Sequence, residues 1–148
     1  MRCDWPVFLV AQVTPQSCWV AATSMLLGRS IPSTGVWVGN AGGLHHQDPS
    51  LMQQFFTHYG LRAVSRNITI TTNTLQGWLC RGSVMLISGF RTGPHNVGTH
   101  ALVVAGMDGD TFRFLDPSPT GRGTEASMTL QQYTRQLPYH AFWVIQKN

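Results

Sequence analysis

A chain of 148 residues and 16.4 kDa is long enough for one hydrophobic core and is read as a single domain over residues 1–148. Hydrophobic residues make up 43% and charged residues only 11%, which excludes a disordered chain. The formal net charge is +4, but the basic residues (Arg2, Arg29, Arg62, Arg66, Arg81, Arg91, Arg113, Arg122, Arg135 and Lys147) are scattered, so no basic run interleaved with aromatics supports nucleic-acid binding.

From the N-terminus, the apolar stretch Val7 to Val10 is too short for a signal peptide, and Asp4 breaks the basic start one needs. No apolar run reaches the length of a membrane span. The first informative segment is Gln12-Val13-Thr14-Pro15-Gln16-Ser17-Cys18-Trp19-Val20-Ala21-Ala22-Thr23-Ser24-Met25-Leu26-Leu27-Gly28. Pro and Ser before Cys18, small and apolar residues at helical spacing after it, and a closing Gly28 predict a helix with Cys18 in its first turn. Free N–H groups and the helix dipole at that position attract a negatively charged sulfur. Gln12 lies upstream, able to aim a side-chain amide at the same spot. A Cys beside an amide donor is half of an acyl-transfer site. Trp19 reads first as a core residue of this helix and stands second as a candidate substrate contact.

Ser33 to Gln47 is Gly-rich and reads as a surface loop. It carries Trp37, a candidate cleft residue, and the pair His45-His46. The pair reads as part of this surface loop, and no metal site is assigned to it. Asp48-Pro49 opens a second helix with an N-cap and a first-turn proline, Leu51, Met52, Phe55, Phe56 and Tyr59 form its apolar stripe, and Gly60 ends it. Leu61 to Ile70 predicts a strand, Thr71 to Arg81 a third helix closed by Gly82, and Ser83 to Ser88 a short apolar central strand. Arg91 to Gly98 reads as a Gly/Pro loop at a cleft rim, which makes Gly98 and Thr99 candidate substrate contacts. His95 within that loop lacks the rigid setting a general base needs.

Thr99 to Gly106 then reads as a buried strand with His100 at its start. Asp108-Gly109 gives a tight turn, Thr111 to Leu115 the return strand, and Asp116-Pro117 its end. Such a hairpin holds His100 and Asp116 at the same open end, where a carboxylate can fix the tautomer and charge of an imidazole. Thr129 to Gln132 has the form of a capping box for a short helix, and Tyr139 to Ile145 reads as an aromatic-rich strand. The sum is α+β: an N-terminal nucleophile helix packed on an antiparallel β-sheet that carries His and Asp.

Three cysteines, Cys3, Cys18 and Cys80, cannot all pair. With Cys18 free, Cys3 and Cys80 can pair only if the fold brings them close, and their spacing is neither a disulfide framework nor a zinc site. Cys80 falls in the third predicted helix and reads as a buried thiol. The compartment of action reads as reducing, or as one that needs no disulfide.

Gln12, the Ser17-Cys18-Trp19-x-Ala21-Ala22 run, the Gly98-Thr99-His100-Ala101 strand start and the Asp116-Pro117 step, in that order, resemble the papain-like cysteine peptidases. Among these the nearest in form are compact bacterial ones, the effector peptidases and the double-glycine leader peptidases of bacteriocin exporters. The resemblance covers Gln12 to Pro119. It implies a papain-like fold and a cysteine protease that needs no cofactor. It further implies Cys18 as nucleophile, His100 as general base and acid, Asp116 as the group orienting His100, and Gln12 with the Cys18 N–H as oxyanion hole. The chain departs from plant papains in its shorter body, in Asp116 where they have Asn, and in lacking their disulfide-rich half. The leader peptidases imply a narrow cleft that accepts glycines before the cut. The habit of the bacterial forms implies a toxin or effector domain delivered into another cell, acting as a monomer on an intracellular protein and neutralised by an immunity protein. Other Cys–His acyl-transfer enzymes share the nucleophile and base, so a peptidoglycan amidase, a glutamine deamidase or a transglutaminase stands as an alternative. A catalytically inactive binding module is the third reading.

Overall fold

The computed structural model describes residues 2–14, 17–31, 44, 46–91, 97–133 and 140–148. Its elements are β1 (Arg2–Asp4), α1 (Cys18–Leu27), α2 (Pro49–Tyr59), β2 (Leu61–Thr69), α3 (Thr72–Leu79), β3 (Val84–Arg91), β4 (Val97–Asp108), β5 (Thr111–Asp116), β6 (Thr124–Thr129), α4 (Leu130–Tyr133) and β7 (His140–Lys147). The strands form one antiparallel sheet in the order β2-β7-β3-β4-β5-β6, with β1 pairing β4 where β3 leaves off.

The period-2 alternation of β4 explains how helices cover both faces of this sheet. Ala101, Val103 and Ala105 pack into one cluster with Trp19, Ala22, Met25 and Leu26 of α1 and Met52, Phe55, Phe56 and Tyr59 of α2. Leu102 and Val104 point the other way, into a cluster with Leu75 and Leu79 of α3 and Leu130 of α4. Helix α1 is apolar on nearly all sides because it lies between the sheet and α2. Gly28 ends it in the left-handed conformation, φ 72°, as Gly60 ends α2 at φ 66°. Asp48 caps α2 by accepting from the Ser50 and Leu51 N–H groups at 3.0 and 3.1 Å. Among the described residues, no helix is long and apolar enough to cross a membrane.

The N-terminal segment is fastened to the sheet by polar contacts. The Trp5 N–H donates to the Ala105 carbonyl at 2.9 Å. Arg113 of β5 donates to Asp4 Oδ1 at 3.0 Å, to the Trp5 carbonyl at 2.7 Å and to the Val7 carbonyl at 3.3 Å. Gly106 admits this approach: a Cβ there would run into the Asp4 carboxylate.

Several expectations are corrected. The hairpin strands run further than their apolar cores, so Arg91 closes β3 while Val97 and Gly98 open β4. The tight turn sits one residue later, at Gly109-Asp110. Strands β1 and β6 were not foreseen, because three residues and a polar, half-exposed run carry no clean alternation. Cys80 is exposed: it caps α3 instead of lying within it. Trp19, offered as a substrate contact, is 2% exposed and meets the Phe55 ring edge-on at 6.0 Å, so it is core. Trp37, His45 and His95 lie outside the described residues. His46 is half-buried, its ring 5.1 Å from that of Phe142 and its carbonyl accepting from Trp143 Nε1 at 2.6 Å. Burial pushes its pKa down, against a smaller upward pull from its hydrogen bond to the Leu44 backbone.

Candidate active site

Cys18 is the first residue of α1 and is half-buried. The preceding Ser17 is not spent as a helix cap. Its hydroxyl turns back onto Thr14, donating to the carbonyl and accepting from the N–H, both at 3.0 Å. That small turn sets the entry of the chain into α1 and leaves the helix start uncapped around the Cys18 sulfur.

His100 comes from β4, paired with Ser88 of β3, and Asp116 from the end of β5. Their side chains meet at 2.5 Å, His100 Nε2 against Asp116 Oδ1. His100 also hydrogen-bonds Cys18, and with Nε2 committed to Asp116 the nitrogen left for the sulfur is Nδ1. Burial on its own would lower the pKa of His100. The hydrogen bonds to Asp116 and to Cys18, with the negative charges of both, outweigh it and carry the value up to about 9. At neutral pH the imidazole is therefore an imidazolium held between Asp116 and Cys18.

Asp116 accepts from three donors. Besides His100, its Oδ1 accepts the Ser118 N–H at 2.9 Å, and its Oδ2 accepts the Tyr133 hydroxyl at 3.3 Å. The ring of Tyr133 stacks on Phe114 with centroids 4.1 Å apart and planes 7° from parallel. The capping box forms as expected, Thr129 N–H to Gln132 Oε1 at 2.9 Å and Gln132 N–H to Thr129 Oγ1 at 3.1 Å. It starts the short helix that ends on Tyr133. Sequence reasoning missed both donors. The Asp116-to-Ser118 contact is an Asx turn, and the Asp-Pro-Ser order carries that signal. Nothing local in the sequence links Tyr133 to Asp116.

Gln12 is buried at 6% exposure and is held mainly through its backbone. Its N–H donates to the Pro117 carbonyl at 3.0 Å, and its carbonyl accepts the Gly121 N–H at 2.8 Å. Its Nε2 donates to Thr120 Oγ1 at 3.1 Å, while Oε1 is buried with no hydrogen-bond partner among the described residues. The segment after Asp116 thus carries Gln12 alongside the end of β5. Thr99 is exposed on β4 next to His100, and Gly98 precedes it in the same strand. Among the described residues, no three His, Cys, Asp or Glu side chains gather as metal ligands.

A thiol, an imidazolium and an oriented carboxylate joined in one line can carry out nucleophilic attack on a carbonyl with proton return. A family model described as papain-like cysteine protease AvrRpt2 matches residues 2–138. The chain belongs to that family. It is a papain-like cysteine protease, a hydrolase. Among solved structures it resembles the crystal structure of a double glycine motif protease from an AMS/PCAT transporter in complex with the leader peptide. The TM-score is 0.62 at 15% sequence identity, over 97% of this chain and 92% of that one, a likeness of fold. The expected α+β papain-like architecture is thereby borne out. A search of curated proteins returned no match.

Proposed function

We propose that this protease is an endopeptidase whose nucleophile is Cys18, with His100 as general base and acid, Asp116 as the group orienting His100, and Gln12 with the Cys18 N–H as oxyanion hole. The observation that carries the reading is the continuous line of side-chain contacts from Cys18 through His100 to Asp116. In this mechanism the Cys18 sulfur attacks a peptide carbonyl carbon, and the oxyanion is met by N–H donors. The His100 proton passes to the leaving amine. The acyl group stays on sulfur as a thioester until water, deprotonated by His100, releases it and regenerates the thiol.

Residues 1–148 act as one catalytic domain in this reading, with a protein as substrate. Family membership supports an effector or toxin that works on an intracellular protein of a target cell, as a monomer, with an immunity or inhibitor protein as its regulator. The likeness to a protease seen with its leader peptide supports a cleft that takes an extended, glycine-rich segment.

The test is a proteome-wide map of new protein N-termini in cells expressing either the wild type or Cys18→Ala. Termini present with the wild type and absent with Cys18→Ala are expected, with glycine enriched before the cut. Equal maps from two folded proteins would overturn proteolysis in that cell, and cuts spread evenly over bulky residues would overturn the glycine preference.

A further inference from the structure

Two thiols lie outside the active site, and the fold has brought them together. Cys3 sits on β1 opposite Met107 of β4 and packs against the cluster that holds Leu79 and Met107. Trp5, two residues on, donates its Nε1–H to the Leu79 carbonyl at 2.8 Å, which fastens the N-terminal segment to the last turn of α3. Cys80 is the next residue after Leu79, at the C-cap, and it is exposed. The Trp5–Leu79 bond brings the Cys3 and Cys80 side chains near enough to act on each other, and neither is in a disulfide. Cys18 packs against the cluster on the other face of the sheet. We propose that Cys3 and Cys80 are a reversible disulfide site, oxidised by small disulfides of the glutathione class, which ties β1 to the end of α3 and leaves Cys18 as the free thiol.

The chemistry balances without any other reactant. The Cys80 thiolate, reachable from solvent, attacks one sulfur of oxidised glutathione; that S–S bond breaks and one glutathione leaves. The Cys3 thiolate then attacks the Cys80 sulfur of the mixed disulfide and displaces the second glutathione. Two electrons pass from the protein to glutathione, and the two thiol protons end on the two glutathione thiols. Desolvation and the neighbouring Cys80 hold the reduced Cys3 thiol above its ordinary pKa, so the exposed Cys80 is the sulfur that attacks first and Cys3 the one that resolves by intramolecular attack. A disulfide needs the two Cβ atoms within about 3.5–4.5 Å, and the Trp5–Leu79 bond holds the two segments side by side for that approach.

The cross-link would close a loop containing α1, α2, β2 and α3 and would hold the start of the segment that leads to Gln12. Its effect is on the unfolded chain and on fraying of β1, away from the peptidase chemistry. The site is thus a point where an oxidising compartment stiffens the chain and a reducing one releases it.

The test equilibrates the folded wild type in glutathione buffers from fully reduced to fully oxidised, followed by denaturing alkylation with N-ethylmaleimide and intact-mass measurement. The reduced protein should take three labels and the oxidised protein one, with a Cys3–Cys80 linked peptide after digestion. The thermal midpoint should rise by about 5–10 °C on oxidation. Neither Cys3→Ser nor Cys80→Ser should show the link or the rise. Retention of three labels in oxidised glutathione, a stable glutathione adduct on Cys80, or a link through Cys18 would each overturn the proposal. If a Ser variant does not fold, the label count and linked peptide of the wild type decide alone. Label counting is blind to peptidase activity, so this result stands apart from the test of the proposed mechanism.

Discussion

The two arms of the site are held by opposite means. Asp116 is fixed through its side chain, whose carboxylate meets His100, the Ser118 N–H and the Tyr133 hydroxyl. Gln12 is fixed through its main chain, tied to Pro117 and Gly121, while its amide keeps capacity in reserve. Among the described residues its Nε2 donates only to Thr120, although an amide nitrogen carries two hydrogens. Among the described residues its buried Oε1 has no partner either, a cost of about 1–3 kcal/mol. The contrast fits the proposed roles. A carboxylate that must hold an imidazole through two proton transfers gains from donors on both of its oxygens. An amide that must meet a charge existing only in the transition state gains from an unspent donor.

Gln12→Ala tests this division most severely. Removing one oxyanion donor should lower kcat by about 100- to 1,000-fold with little change in KM. Stability should hardly move, because both backbone bonds survive and the orphaned Oε1 disappears with the side chain. Activity assays beside thermal unfolding would check both halves. A large drop in stability, or a loss that appears in KM, would mean that Gln12 is a structural residue and that the contrast between the arms is false.

Asp116→Asn sharpens the other arm. Its shape is kept and its charge removed, and the plant papains have Asn in the corresponding role. His100 has its pKa raised from the ordinary 6.5 to about 9, so the imidazolium form is lost, and activity with it, as pH rises through about 9. The hydrogen bond to Asp116 is the leading upward cause, so in Asp116→Asn the alkaline limb should move to lower pH. A loss of up to about tenfold at pH 8 is expected, with near-normal rates at pH 6. The same sign governs stability. The charged His100 contributes fully below 6.5 and its contribution fades between 6.5 and about 9, a slope that Asp116→Asn should flatten. A pH–rate profile whose limb stays at about 9 would assign the imidazolium to Cys18 alone.

The sequence made one arm far more legible than the other. Ser17, Cys18 and Gly28 mark a helix by local rules, and the apolar run from Ala101 to Ala105 marks a strand, so the Cys–His–Asp order and the hairpin could be read directly. These are signals of capping and alternation, which act over a few residues. The contacts that complete each arm span much longer separations. Tyr133 reaches Asp116 only because α4 folds back over β5 to stack on Phe114, and Gln12 reaches Thr120 across 108 positions. Arg113 clamps Asp4, Trp5 and Val7 in the same non-local way. No periodicity encodes such meetings; they are set by how the sheet stacks. Trp19 shows the converse error. Its place beside the nucleophile suggested a substrate contact, but a helix apolar on nearly all sides has little surface to give, and its ring goes to the core.

Tyr133→Phe is the smallest and most discriminating change. The ring stays on Phe114, so packing is preserved, and the 3.3 Å bond to Asp116 Oδ2 is lost. A hydrogen bond to a charged group is worth about 1.5–3 kcal/mol at good geometry; this one is long, and Asp116 keeps two other donors. The expected effect is a drop in kcat of about two- to fivefold with KM unchanged. The alkaline limb should also shift slightly upward, since Asp116 loses a competing donor and leans harder on His100. A structural role would change stability and KM instead and leave the limb in place. Combined with Asp116→Asn, the Tyr133→Phe change should add little further loss, because both act on the same carboxylate. Full additivity in the double variant would show that Tyr133 works on some other group, and the donors around Asp116 would then not be what orients His100.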